Sequence, residues 1–279
     1  MTMGHITSTR VQTVSGKPGQ LDRHKPEPDK IDGMQERKNS KIILVDDEPM
    51  ITRSISRIIG RGFECRVFDR PKEAIESYKS EGADVVISDF DMKSDIDGLG
   101  LLREIKSHDP EARVIVMSGR LDAERRESLF SSGAYYALEK PFDAMIMSMA
   151  VNNALEGRRA KSSRILVVDD SRNISELLSE QLRESGHDAQ VAADGQEGCS
   201  KFNAGDFDLV ISDVRMPGMD GIEMLKSILG ADPGAKVVMM SGDQELSLSR
   251  ELQEAGAFAF IKKPFNLEEL RVVLDGALG

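Results

Sequence analysis

No run of apolar residues in this chain approaches the ~18–20 that would cross a bilayer, and its first residues carry no signal-peptide apolar core. A membrane partner is excluded on that ground, and the expectation is a soluble, cytoplasmic protein. Cysteine is scarce as well: Cys65 and Cys199 are the only two in 279 residues, lie far apart and form no CxxC pair. That excludes a disulfide framework and leaves thiol-based metal or redox chemistry without ligands, so both read as reduced, buried side chains. A surplus of positive charge is missing too, with 37 Lys and Arg against 48 Asp and Glu and a net charge of -11. Residues 40 to 157 carry -6 and residues 164 to 279 carry -10, while the short stretches 1 to 39 and 158 to 163 carry +2 and +3. Direct binding to nucleic acid is excluded, because a phosphate backbone needs a Lys/Arg face. Residues 1 to 39 also lack apolar periodicity and scatter Pro18, Pro26 and Pro28 among charges, which predicts a disordered tail. His5 and His24 in that tail sit on no amphipathic helix and read as neither metal ligands nor phosphotransfer groups.

What the chain does have is a repeat. DLVISDVRMPGMDG, residues 208 to 221, is an apolar run without polar alternation, the pattern of a strand buried on both faces of a parallel sheet, and it delivers Asp213 at its carboxyl end. DVVISDFDMKSDIDG, residues 84 to 98, does the same for Asp89. Asp46-Asp47 and Asp169-Asp170, Ser118 and Ser241, and Lys140-Pro141 and Lys263-Pro264 are each 123 residues apart, whereas Asp89 and Asp213 are 124 apart. Such constancy marks a duplication. The length suits two domains of ~100–150 residues, expected at 40 to 157 and 164 to 279 with a linker at 158 to 163.

Along the first copy, KIILV (41 to 45) predicts a strand, and Pro49 followed by Ile51, Ile55, Ile58 and Ile59 a helix. A strand over Cys65 to Phe68, a helix from Pro71 to about Lys79 and the DVVISD strand come next. A helix striped by Leu99, Leu102 and Ile105, a strand at 113 to 118, a helix over Ala123 to Ser131, a strand at 134 to 139 and a helix from about Asp143 to Glu156 complete it. Met145, Met147 and Met149 of that last helix read chiefly as core, with an adaptable contact face as the alternative. The second copy repeats the plan to a closing helix from Leu267. Strand-helix alternation of this kind predicts α/β architecture, two consecutive (βα)5 domains, each a doubly wound parallel sheet. The basic GRRAKSS segment (157 to 163) spans only about 25 Å when extended, so the domains are expected side by side.

Ligands bind at the carboxyl edge of such sheets, where each copy gathers three carboxylates, a hydroxyl and a lysine. Asp169, Asp170 and Asp213, like Asp46, Asp47 and Asp89, repel one another without a hard cation, for which Mg²⁺ is the natural choice and Mn²⁺ the alternative. A carboxylate beside it can attack phosphorus to give an aspartyl phosphate.

These residues, in this order and twice over, resemble the receiver domains of bacterial two-component response regulators, in tandem over about residues 40 to 279. The resemblance implies the flavodoxin-like, CheY-like fold, with Asp89 and Asp213 as phosphoacceptors. It implies a metal held by Asp46, Asp47 and Asp89, and by Asp169, Asp170 and Asp213, completed by the backbone carbonyls of Asp91 and Arg215. It further implies Ser118 and Ser241 as sensing hydroxyls, Lys140 and Lys263 as their lysine partners, and Phe260 as an aromatic switch on strand 5. A sensor histidine kinase or phosphotransfer protein is the implied donor, and output is expected through binding of a downstream protein, with no DNA-binding or enzymatic output domain. The two copies are expected to pair within one chain or between chains through the helix 4, strand 5, helix 5 face.

The first copy departs from that pattern. Its loop after Asp89 is one residue longer, has Lys93 in place of Pro217, and adds Asp95 and Asp97. Weaker or less ordered metal binding is expected from the altered loop, while the two added acids enrich the site in carboxylates and work the other way. Ala137 stands where the second copy has Phe260, so rotamer coupling is unavailable. Charged pairs two residues past the acceptor and two past the hydroxyl, Asp91 with Arg120 and Arg215 with Asp243, are expected to bridge the mouth of each site and slow the attacking water. Two rival readings remain at this point: an adaptor with one inactive receiver, and a Mg²⁺-dependent aspartyl phosphohydrolase, although strand 1 ends in DDE and DDS rather than the DxD of haloacid-dehalogenase-like enzymes.

Overall fold

Apolar β-branched runs too short for helices become strands here, each followed by a helix. Helices open on proline at Pro49 and Pro71, and on a capping Asp or Asn at Asp97, Asp122, Asp143, Asp194, Asp220 and Asn266. The computed structural model describes residues 40–60, 62–242 and 246–279; the tail expected at 1 to 39 lies outside them. The first receiver-like unit runs β1 (Lys41–Val45), α1 (Pro49–Ile59), β2 (Glu64–Phe68), α2 (Pro71–Glu81), β3 (Val85–Asp89), α3 (Gly98–His108), β4 (Val114–Ser118), α4 (Ala123–Ser131), β5 (Tyr136–Glu139) and α5 (Ala144–Glu156). The second runs β6 (Arg164–Val168), α6 (Arg172–Glu184), β7 (Asp188–Ala192), α7 (Gly195–Ala204), β8 (Leu209–Asp213), α8 (Gly221–Ala231), β9 (Val237–Ser241), α9 (Leu246–Glu254), β10 (Ala259–Lys262) and α10 (Leu267–Leu278).

Both sheets are parallel, ordered β2-β1-β3-β4-β5 and β7-β6-β8-β9-β10. Strand order reverses between the first and third strands of each copy, which opens a crevice at their carboxyl ends. β3 and β4 are buried along their whole length, as an apolar run covered on both faces must be. On α3 the buried stripe is Gly98, Leu101, Leu102 and Ile105, so Leu101 takes the core position expected of Leu99, which is only half-buried. Three leucines within four residues offer two stripes, and the i, i+3, i+4, i+7 set is the one that faces the sheet.

One hydrophobic cluster crosses from one unit to the other. Ile146, Met147, Ala150, Val151 and Ala154 of α5 share it with Leu270, Val272, Val273 and Ala277 of α10. Met147 is fully buried, and Met145 and Met149 pack against the same cluster, so this methionine-rich face meets α10 of its own chain. Gly276 permits the approach, since a Cβ there would stand 2.7 Å from the Met149 Cε. Asp275 and Asn153 are satisfied within the contact. Asp275 accepts from Tyr136 Oη (2.7 Å), Arg159 Nη1 (3.0 Å) and the Ala160 amide (2.7 Å), and Asn153 Nδ2 donates to the Val272 carbonyl (2.8 Å). Burial, with Asp275 adding to it, holds the Tyr136 phenol protonated far above its ordinary range. Arg159 lies with its Cζ 3.5 Å from the centre of the Tyr135 ring, which shields the linker's charge on one side. Arg126 of α4 bonds Glu268 of α10 at 3.2 Å, and Lys262 bonds Asp143 at 3.3 Å.

Candidate functional site

Each site is assembled where β1 and β3, or β6 and β8, part at their carboxyl ends. In the first unit Lys140, just after β5, reaches Asp89 Oδ1 at 2.7 Å and Asp46 Oδ2 at 3.0 Å. In the second, Lys263 reaches Asp213 Oδ1 at 2.5 Å and Asp169 Oδ2 at 2.7 Å. Asp46 and Asp169 are 2 % exposed and turn their other oxygens to the Glu48 and Ser171 amides, at 2.8 and 2.9 Å. The backbone just before α1 and α6 thus fixes the strand-1 carboxylate in both copies.

The glycine that opens the following helix has a specific task. A side chain on Gly98 would collide with the backbone carbonyl of Asp89, and one on Gly221 with that of Asp213. Only glycine lets α3 and α8 start this close behind the acidic strand end. The repeated Asp-Gly at 97–98 and 220–221 was the available sequence signal for it. Asp97 was expected to enrich the first site in acid. It is instead the α3 N-cap, accepting from the Gly100 amide at 2.8 Å, as Asp220 caps α8 through Glu223. Asp95 is exposed and pairs with Lys72 at 3.5 Å.

Asp46, Asp47 and Asp89 present one oxygen each, all within 4.8 Å of one another, and they are the one such group among the described residues. The close set of carboxylates thus lies in the copy expected to hold its metal less well. Two of these three carboxylates share a single ammonium, that of Lys140. Burial pushes the Asp89 carboxyl up; Lys140 opposes the rise, while Asp46 and Asp91 add to it. Burial would by itself pull Lys140 down, but its bonds to Asp89 and Asp46 outweigh this and hold it above its ordinary value; the same balance holds Lys263 up. Acid and base of the first pair move the same way because burial raises the acid while two carboxylates raise the base, and the site is left short of positive charge. That deficit and the all-oxygen donor set fit a hard divalent cation such as Mg²⁺, which would leave ligand positions for phosphoryl oxygens.

Ser118 and Ser241 close their strands and are both buried. Ser118 Oγ donates to the Arg120 carbonyl at 2.7 Å and receives Arg125 Nη1 at 2.7 Å. Arg125 is a site residue that reading the sequence missed, because nothing in the helical pattern of α4 marks it. The expected Asp91–Arg120 bridge is not made. Asp91 pairs with Arg125 at 3.1 Å, and Arg120 Nε turns to Asp122 at 3.2 Å, drawn to the residue that caps α4. The partner expected for Arg215, Asp243, lies outside the described residues; the Arg215 amide donates to Asp213 Oδ2 at 2.9 Å. Phe260 is half-buried and packs with Val214, Met216 and Met239, whereas Ala137 is wholly buried beneath α4.

Comparison with known proteins agrees with this geometry. The family described as response regulator receiver domain matches twice, at residues 42–152 and 165–275. Sporulation initiation phosphotransferase F of Bacillus subtilis is 36% identical over 110 residues, covering 39% of this chain and 89% of that protein. The regulatory protein AtoC of Escherichia coli is 34% identical over 116 residues, which cover 42% of this chain and 25% of AtoC. Among solved structures, the chemotaxis response regulator CheY4 of Vibrio cholerae is 32% identical, with 42% of this chain and 100% of CheY4 covered and a TM-score of 0.40. This chain spans about a quarter of AtoC and most of the phosphotransferase. No helix among the described residues is long and apolar enough to cross a membrane. Two matches that together take in more than half of the sequence, each centred on a carboxylate-lysine site at the same sheet edge, make the chain a member of the response regulator receiver family of two-component signalling.

Proposed function

We propose that Asp213 and Asp89 each accept a phosphoryl group from a histidine kinase or phosphotransfer protein, and that the phosphorylated chain acts by binding a downstream protein. What supports the reading most directly is the pair of contacts Lys140–Asp89 and Lys263–Asp213, at 2.7 and 2.5 Å, repeated at the same sheet edge. In the transfer, a carboxylate oxygen attacks phosphorus, the phosphorus-nitrogen bond of a phosphohistidine breaks, and its electron pair leaves on the imidazole nitrogen. Lys140 and Lys263 would follow the charge from carboxylate to phosphoryl oxygen, and Ser118 and Ser241 would donate to another oxygen. A bound Mg²⁺ would neutralise the remaining charge, held by Asp46, Asp47 and Asp89 with the Asp91 carbonyl, and by Asp169, Asp170 and Asp213 with the Arg215 carbonyl. Self-phosphorylation and loss of that phosphate to water are the only chemistry in this reading, which is set in the cytoplasm, with domains at 40–157 and 164–279 around a 158–163 linker.

Intact mass after treatment with acetyl phosphate and Mg²⁺ tests it. Two added phosphates are expected; a chain that gains none sinks the assignment. A single adduct on Asp213 would favour an inactive first receiver, a second reading suggested by Ala137 and by the engagement of Tyr136 with α10.

A further inference from the structure

We propose that Arg125 is a phosphoryl-binding residue of the first receiver, a second cation that takes oxygens of the phosphate on Asp89. This rests on Asp89 being an acceptor. Arg125 lies in the first turn of α4, its backbone fixed by the Asp122 cap at 3.0 Å. One of its nitrogens, Nη1, joins three groups around the mouth of the site: Ser118 Oγ at 2.7 Å, Asp91 Oδ2 at 3.1 Å and the Arg120 carbonyl at 3.0 Å. Its Cζ stands 4.0 Å from the centre of the Phe90 ring, so the guanidinium is clamped against the residue that follows Asp89. The cation thus bridges the chain leaving β3 and the hydroxyl that ends β4.

Chemistry favours exchange of these contacts when phosphate arrives. Ser118 now gives its proton to the Arg120 carbonyl and offers its lone pairs to Arg125. A phosphoryl oxygen that takes the Ser118 proton enters beside the same guanidinium. Asp91 is a weak competitor, because its side chain is 53% exposed and solvent screens the pair. A phosphoryl group carries more charge and several acceptor oxygens, to which the planar fork of five N–H donors is matched. The sequence of the second receiver does not repeat these two residues: the position 123 residues on from Arg125 is a leucine, and Val214 stands where the first has Phe90. Ala137 leaves the first receiver without an aromatic at the strand-5 position that Phe260 holds in the second, and the Arg125–Phe90 stack places a cation and an aromatic at the mouth of the site instead.

The test uses the full chain with Asp213→Asn, so that Asp89 is the remaining acceptor. Beryllofluoride with Mg²⁺ is titrated and followed by ¹⁹F resonance, and acetyl phosphate uptake is read by intact mass. Arg125→Met keeps an apolar stem over Phe90 without the charge and is expected to weaken beryllofluoride binding about tenfold, the scale of a charge-assisted contact. Arg125→Lys should recover part of the affinity, and both changes should move the ¹⁹F signal of the Asp89 adduct, which a purely structural role would leave in place. Should Arg125→Met fail to fold, Arg125→Gln carries the same expectation. Affinity within about twofold of the parent, with an unmoved ¹⁹F signal, overturns the role of Arg125 alone. An Asp213→Asn chain that forms no adduct with either probe overturns the assignment of Asp89, and Arg125 with it.

Discussion

The two receivers keep one strand order and one site plan, yet matching positions of their fifth strands carry different side chains. In the first, the strand carries Tyr136, which is 0% exposed and ends in a bond to Asp275 of the other receiver. In the second, Ala259 stands at the matching position, and Phe260, which matches Ala137, is half-buried against the cluster that holds Val214, Met216 and Met239. A duplicated fold therefore conserves the geometry that places its acids and lysine, because those positions are set by strand ends and helix starts. Side chains on the outward faces are free to diverge, and here they divide the labour: the first receiver offers a docking face, the second a helix that fits it.

The sharpest way to break this comparison is to remove one acceptor at a time. Asp213→Asn and Asp89→Asn should each reduce acetyl phosphate uptake from two adducts to one while the chain stays folded, and the double variant should take none, since an amide keeps the shape but is no nucleophile. Intact mass decides, and a doubly substituted chain that still gains phosphate on a carboxylate contradicts the mechanism.

The next largest effect lies at the contact. Asp275→Ala leaves Tyr136 Oη and Arg159 without their shared partner and should destabilise the chain by ~3–5 kcal/mol, as loss of one member of a buried charged network does. Denaturant unfolding of the full chain measures it, and a cost no greater than that of an exposed pair such as Arg172–Glu176 would show the network to be incidental.

A smaller, pH-dependent effect belongs to Glu268. Burial raises its carboxyl above the ordinary range despite Arg271 and Arg126. An acid whose folded value is raised favours the native state while protonated and loses that contribution as pH climbs from its unfolded value through its folded one. Glu268→Gln should thus gain on the parent as pH rises through that interval and show little further change above it, which stability measured along a pH series will reveal. A gap that shrinks with rising pH runs against this.

The smallest effect sharpens the comparison of metal sites. With Asp170→Asn only the first site keeps its full acid set, and with Asp47→Asn only the second does. The closer carboxylates of the first predict a Mg²⁺ affinity higher by about threefold, or ~0.7 kcal/mol. Calorimetric titration of the two full-length variants separates them, and tighter binding by the Asp47→Asn chain would restore the expectation drawn from the altered loop.

Most of the architecture was legible in the sequence because buried parallel strands are continuous apolar runs and the repeat doubles every signal. The acids, hydroxyls and lysines were legible for the same reason: each sits at a strand end. Edges were less so. The last strand of the first receiver starts at Tyr136 rather than 134, since the Ala134 amide still bonds the Leu129 carbonyl of α4 and the Tyr135 amide makes only the first bond to β4, at Val114. Asp97 looked like an extra ligand because a capping acid and a metal-binding acid are the same residue type, told apart only by what the side chain meets. Arg125 and Asp275 were silent because their partners are tertiary. Asp275 meets a tyrosine 139 residues away, and an arginine on an exposed-looking helix carries no sign that it reaches the strand beside it.

The shared apolar cluster between α5 and α10 has a consequence for how the chain is made. α10 follows every other element described, about 120 residues after α5. At ribosomal speeds of ~5–20 residues per second, the first receiver can complete its own sheet and then waits roughly 6–25 s with the methionine-rich face of α5 bare. During that interval nascent chains on one message carry matching sticky faces, and translation rate rather than equilibrium affinity governs whether α5 meets its own α10 or a neighbour's.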